Sequence, residues 1–241
     1  ADFFPIVKHL NYQNQDATQM MQEAVAASNE GQYEKAFDLY NQIVNLLLQV
    51  TGAMNPEVAS CITKMANIQY KMGDFLQAIE LQTKSIIIQE KILGYDDPQL
   101  AYSYSNLGLY YHQCRYWSKG FEYLNRSRSI LQVVSGDDHP DTTSVILNLG
   151  LMYQDCDQFG AAIECFTDSL YRNIALYGDT HFQVVSCYQA IAHAYYLQEN
   201  FRMALEYQEK NHELLKKLVP ADSQYLLHSE QQLNNFIELS V

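Results

Sequence analysis

Residues 94–140 read GYDDPQLAYSYSNLGLYYHQCRYWSKGFEYLNRSRSILQVVSGDDHP, and the string opens and closes on the same punctuation. Gly94 is followed by Asp97-Pro98, and Gly136, 42 residues later, by His139-Pro140. A glycine just past a helix can take the left-handed conformation that ends it. The side chain before the proline then accepts an orphan backbone N–H, and Pro fits the first position of the next helix. Between these marks the apolar residues recur at spacings of three and four, which places Leu107, Tyr110, Tyr111 and Cys114 on one helical face. The turn at Arg115-Tyr116 splits the string into two helices, the first running from Pro98 to Gln113.

The same step continues in both directions. Gly52, Gly94, Gly136 and Gly178 are each 42 residues apart, and four residues beyond them stand Pro56, Pro98, Pro140 and, breaking the pattern, Phe182. Small residues repeat as Ala66, Gly108, Gly150 and Ala192, and again as Ala36, Ala78, Gly120, Ala162 and Ala204. Bulky aromatics keep register as Tyr33, Phe75, Trp117, Phe159 and Phe201. Turns at Gly73-Asp74, Asp157-Gln158 and Glu199-Asn200 match the one at Arg115, and a second helix such as Phe75 to Leu93 follows each. A single hairpin of this size cannot cover its own apolar stripe, so successive hairpins must stack. The expected fold is all-α, a superhelical solenoid. It comprises an N-terminal extension over 1–15, five 42-residue hairpins over 16–218, and a capping helix within 219–241. That helix carries Tyr225, Leu226, Leu233, Phe236 and Ile237 on its apolar side, after Pro220 interrupts the register.

Composition narrows the function classes. Glycine and proline total 10 and 5, with no low-complexity tract or linker, so one continuous architecture is expected. The balance of 15 Lys+Arg against 28 Asp+Glu gives a net charge of −13. That field repels phosphate backbones and anionic membranes and favours basic partners, and it also serves solubility. Five cysteines without CxxC spacing fall in apolar helical stretches, the signature of small core residues in a reducing compartment. The longest apolar run, near 85–88, is far too short to span a membrane. Without an initiator Met, the chain reads as a segment of something larger, and a cytoplasmic location is expected.

Catalytic constellations do not assemble. His139 and His181 occupy equivalent turns and read as helix caps; His112 and His193 lie on different hairpins without metal-ligand spacing. Cys114 and Cys156 are one period apart and Cys61 and Cys187 are repeat-equivalent, which marks packing positions rather than a nucleophile with its base. The ladder Glu80, Glu122, Glu164 and Glu206 is followed four residues on by Lys84, Arg126, Asp168 and Lys210, a surface-pair spacing. No enzyme, metal or cofactor is expected.

These small and aromatic positions resemble the tetratricopeptide repeat, whose helix pairs wind into a right-handed superhelix. The 42-residue unit, with its longer second helix and Gly-x-x-(Asp/His)-Pro close, is similar to that of kinesin light chains. Tyr104-Ser105-Asn106-Leu107-Gly108-Leu109-Tyr110-Tyr111, Asn148-Leu149-Gly150-Leu151-Met152, Gly136-Asp137-Asp138-His139-Pro140 and Gly73-Asp74-Phe75 resemble the repeat region of the clustered mitochondria family over residues 16–218. That resemblance implies a cytosolic scaffold that helps distribute mitochondria and associates with messenger RNAs for mitochondrial proteins. It also implies a concave wall of first helices presenting Thr63, Lys64, Asn67 and Tyr70, then Tyr102, Ser105, Asn106, Leu109 and His112. Asn148, Leu151 and Gln154 follow, then Gln189, His193 and Tyr196. Amide side chains on such a wall can both donate to and accept from an extended peptide. The alternative is an RNA-associated module acting with other domains. Its basic cluster, Arg115, Lys119, Arg126 and Arg128, encloses Glu122, so tight autonomous RNA binding is not expected. Oligomeric state stays open.

Overall fold

The computed structural model describes residues 10–240, with side chains described over 18–239. The described residues form helices and turns without a strand. In chain order the helices are α1 (Leu10–Asn29), α2 (Tyr33–Thr51), α3 (Pro56–Met72), α4 (Phe75–Leu93), α5 (Pro98–Gln113), α6 (Trp117–Val134), α7 (Pro140–Asp155), α8 (Phe159–Tyr177), α9 (Phe182–Leu197), α10 (Phe201–Leu218) and α11 (Gln224–Ser240). The two helices read in detail from the sequence, Pro98–Gln113 and Phe75–Leu93, have the ends expected. Residues 1–9 of the anticipated N-terminal extension, with Phe3-Phe4-Pro5, lie outside the described residues, as does residue 241. From Leu10 onward that stretch is helix.

Local chemistry sets each helix end. Asn55 Oδ1 accepts from the Glu57 amide at 2.7 Å and Asp97 Oδ1 from Gln99 at 2.8 Å. His139 and His181 do the same through Nδ1 for Asp141 and Gln183, both at 3.2 Å, so they are caps. Phe182 replaces proline without loss of the helix start, because the His181 cap is kept. Within hairpins the reversal uses one left-handed residue: Gly31 and Gly73, then Arg115, Asp157 and Glu199 at φ of 59°, 58° and 61°. The next amide closes each turn by bonding the carbonyl five residues back, as in Tyr116 to Tyr111 and Asn200 to Tyr195. Three non-glycine side chains therefore hold a conformation that costs each roughly 1–2 kcal/mol.

The Cα packing divides the chain into two compact units, Ala1–Tyr123 and Leu124–Val241. The division falls inside α6 rather than at a linker. In the first unit, α1 packs on α2, α2 on α3, α3 on α4 and α4 on α5. Ala24, Tyr40, Ile43, Val58, Met65 and Ile68 form the core there. In the second, α7 packs on α8, α8 on α9, α9 on α10 and α10 on α11, and α7 also touches α9. Its core gathers Ala162, Phe166, Leu170, Val184, Ile191 and Leu214. Full burial of each large apolar side chain stabilises by about 1.5–3 kcal/mol.

Two devices recur within the hairpins. Serine or asparagine at the repeat-equivalent positions Ser85, Ser127, Ser169 and Asn211 is buried in every case. Ser85 Oγ donates to the Ala59 carbonyl at 2.7 Å, and Asn211 Nδ2 to the equivalent Val185 carbonyl at 2.9 Å, tying a second helix to its own first helix. The other device is close approach. A Cβ added to Gly150 would lie 2.5 Å from Cε1 of Phe166, which is fully buried. On the surface, Glu80–Lys84 and Glu206–Lys210 pair at 2.6 and 2.7 Å. In α8, where Glu164 lacks a basic partner four residues on, Asp168 instead takes Arg172 at 2.8 Å.

α11 begins 42 residues after α9 and is capped like it, Ser223 Oγ accepting from the Tyr225 amide at 3.3 Å. Phe236 is buried against Ala192 and Ala204. Leu227, Ile237 and Leu239 remain exposed.

Replacing Gly150 by alanine should lower the urea midpoint by an amount worth about 1–3 kcal/mol, since overpacking outweighs the gain in helix propensity. Adding Phe166→Leu should restore part of that loss. The thiols are equally checkable. Burial pushes Cys61 up to about 11 and raises Cys187 in the same direction. At pH 8 both should stay unreactive toward a thiol reagent in the folded protein and react once it is unfolded.

Candidate functional site

The sequence-derived wall residues all lie on first helices, and the two units treat them differently. On α3, Lys64 is half-buried, its Nζ 5.6 Å from the Tyr40 ring centroid and 3.7 Å from Met21 Sδ. Tyr70 stacks on Tyr110 with centroids 4.9 Å apart, and it and Leu109 pack against the Ala66–Ala78–Tyr110 cluster. These three side chains are thus engaged in packing within the unit. Asn67 is exposed. On α5, Tyr102 is exposed, Asn106 is half-buried, and His112 lies 5.5 Å from the Trp117 ring. Tyr102 also lines a 190 Å³ notch between α3, α4 and α5, together with Pro56, Thr63 and Gln89.

In the second unit the wall residues do converge. Leu151 of α7 and His193 of α9 line one 380 Å³ trough, and Gln154 and Gln189, also expected on the wall, join them. Tyr196 stands beside it, stacked on Phe236 at 5.3 Å and on His193 at 6.4 Å. Asn148 is half-buried on α7 and does not line the trough. The sequence reading missed Ser186 and Ala190 of α9, Gln208 of α10, and Gln232 and Phe236 of α11. Ser186 and Ala190 flank Gln189 at helical spacing, and Gln232 is Ala190 one period on, so register could have found them. Gln208 could not be found that way: it occupies the position of Tyr40, Gln82, Leu124 and Phe166, which are all buried.

Four glutamines, Gln154, Gln189, Gln208 and Gln232, share the trough with Leu151, Ala190 and Phe236. Gln208 is fully buried, and its Nε2 donates to the Ser229 carbonyl at 3.0 Å and Oγ at 3.1 Å. Gln154 is only 9% exposed, and its Oε1 has no hydrogen-bond partner. A buried amide oxygen without a donor costs about 1–3 kcal/mol. Neither Asp, Glu, Lys nor Arg lines this trough among the described residues. Catalysis finds no foothold in the cysteines: burial raises Cys114, Cys156 and Cys165 as well, away from the thiolate form. Among the described residues no three metal-ligating side chains cluster, and no helix is long and apolar enough to cross a membrane.

Comparison with known proteins places this geometry. A sequence profile described as "Tetratricopeptide repeat" matches residues 57–118 and 142–217, and a second profile of the same description matches 100–141. The clustered mitochondria protein homolog of Aedes aegypti is 36% identical over 74 residues, 31% of this chain and 5% of the relative. That of Homo sapiens is 35% identical over 77 residues, 32% of this chain and 6% of the relative. The match therefore spans only a small part of those proteins. Among solved structures, a Podosopora anserina protein described as a kinesin light chain with nearly identical TPR-like repeats superposes with a TM-score of 0.73 at 20% identity, covering 86% of this chain and 97% of that one. BtubC from P. vanneervenii superposes at 0.68 and 17% identity, covering 96% and 84%. At such identities these structures share the solenoid fold alone. The chain belongs to the tetratricopeptide-repeat family.

Proposed function

We propose that this chain is a non-catalytic interaction module of a cytoplasmic protein of the clustered mitochondria type, and that it holds a peptide or protein partner on its first-helix face. The observation that carries the reading is the trough of the second unit, lined by four glutamines and by no Asp, Glu, Lys or Arg among the described residues. Such a surface suits the alternating donors and acceptors of an extended backbone. Membership of the tetratricopeptide-repeat family supports a scaffold role, and the relatives named for clustered mitochondria support a part in mitochondrial distribution. The wall residues proposed to serve the partner are Asn67, Tyr102, Asn106 and His112 in the first unit and Asn148, Leu151, His193 and Tyr196 in the second. Lys64, Tyr70 and Leu109 would act there only by shaping the face from within.

An RNA-associated role draws on the exposed Tyr116, adjacent in the chain to Arg115 and three residues before Lys119, whereas the exposed Tyr95 and Tyr102 lie at the other end of α5. The net charge of −13 opposes it for this chain by itself.

Two measurements separate the readings. Partner capture by the tagged chain should survive nuclease treatment, and Leu151→Ala with His193→Ala should reduce it at least about fivefold, as truncation of central contact residues does. Loss of every partner after nuclease would favour the RNA reading. In a low-salt filter titration the chain should retain no RNA at micromolar concentration; retention would overturn that part of the account.

A further inference from the structure

A second cavity, of 520 Å³, opens between the starts of α9 and α11 over the end of α10. It shares Ser186, Gln189 and Gln232 with the trough, so the two are continuous. Its mouth is aromatic: Phe182 is 52% and Tyr225 73% exposed. Its floor is apolar, from Val185 and Leu215. The repeat supplies an internal control. Subtracting three periods from the lining residues gives the 190 Å³ notch of the first unit, where Pro56 replaces Phe182, Gln89 replaces Leu215 and Gln99 replaces Tyr225. There Gln89 Oε1 accepts from Ser103 Oγ at 2.7 Å, which closes the notch with a polar contact. The counterpart in the second unit is wider, has Leu215 where the first has Gln89, and carries the rings of Phe182 and Tyr225 where the first has Pro56 and Gln99; in return His228 stands where the notch has Tyr102.

The cavity wall is already fixed. Asn211 Nδ2 donates to the Val185 carbonyl at 2.9 Å, and its Oδ1 accepts from Ser229 Oγ at 3.3 Å, so one buried amide joins α9, α10 and α11. A seat held this way needs little ordering when it is filled. No formally charged side chain lines either cavity among the described residues, in a chain that carries 43 such residues (15 Lys+Arg and 28 Asp+Glu). A charged ligand side chain would lose hydration there and meet only apolar side chains, amides, hydroxyls, rings and the imidazoles of His228 and His193, with no Asp, Glu, Lys or Arg to pair it. A bulky apolar one would leave water against a ring-lined wall of the size that suits small ligands, about 300–1,000 Å³.

We infer that the α9–α10–α11 cavity seats an aromatic side chain of an extended, locally uncharged partner peptide, whose backbone continues along the glutamine trough. The inference rests on the peptide-binding reading above and deepens it. Phe182 and Tyr225 flank the anchor ring, Leu215 lies beneath it, and Gln189 and Gln232, common to both cavities, meet the backbone on either side of it.

The test uses the full chain, labelled with nitrogen-15, and three capped five-residue peptides that differ only in a central tryptophan, lysine or glutamate. The tryptophan peptide should shift the side-chain amides of Gln189 and Gln232 and backbone amides at the starts of α9 and α11. The charged peptides should leave them in place at the same concentration. Leu215→Gln with Tyr225→Gln, which copies the first unit, should weaken the tryptophan peptide by about tenfold or more. Phe182→Pro, which restores the residue of three equivalent turns, gives a second variant expected to bind more weakly, should the first not fold. Equal shifts from all three peptides, shifts confined elsewhere, or native-like binding by a folded variant would overturn the proposal. So would shifts at these amides that follow protein concentration without peptide, because a second copy of the chain would then be the occupant. Should the anchor fail while Leu151→Ala with His193→Ala still abolishes partner capture, only this cavity is discarded and the first-helix reading stands.

Discussion

Everything in this fold follows from a helical hairpin of about forty residues being unable to shield its own apolar stripe. Within the two units α2, α4, α8 and α10 each pack on their own first helix and on the next, and the side chains at those contacts show how tightly that is enforced. Phe166 fills the space that a methyl group on Gly150 would occupy. The buried Ser85 and Asn211 bond main-chain carbonyls of their partner helices where a purely apolar contact would be free to slide. The wall residues expected above lie on first helices, and in the second unit four of them line one trough.

Most of the framework was readable from the sequence because the signals that end and start helices are local. Gly94 with Asp97-Pro98, or Gly136 with His139-Pro140, needs no knowledge of distant contacts. What escaped local reading was set by neighbours. Arg115, Asp157 and Glu199 adopt the left-handed turn that Gly31 and Gly73 take without strain, and nothing in those side chains announces it. Similarly, the division into two compact units falls inside α6, with no compositional break to mark it.

The candidate site was legible only in part. Leu151, Gln154, Gln189 and His193 were placed on the wall by the resemblance to related repeats, and they line one trough. Lys64 and Tyr70 belong to the same register, yet a cation over Tyr40 and a ring stacked on Tyr110 draw them into packing. Gln208, Gln232 and Phe236 enter from the following helices, so their contribution depends on how α10 and α11 close over α9. Periodicity identifies equivalent positions; it does not say which copy has been hollowed out, as the contrast between the 190 and 520 Å³ cavities shows.

Coupling between neighbours is therefore the claim on which both the fold and the recognition face depend, and amide hydrogen exchange measures it most directly. The full chain should be compared with one ending at Leu218, which removes Ser229 and Phe236 from α9 and α10. Exchange throughout α9 and α10 should accelerate by at least about tenfold in the shortened chain, while α2 and α3 keep their protection, as nearest-neighbour stabilisation requires. Unchanged protection of α9 and α10 would mean that each hairpin stands alone, and would contradict the account.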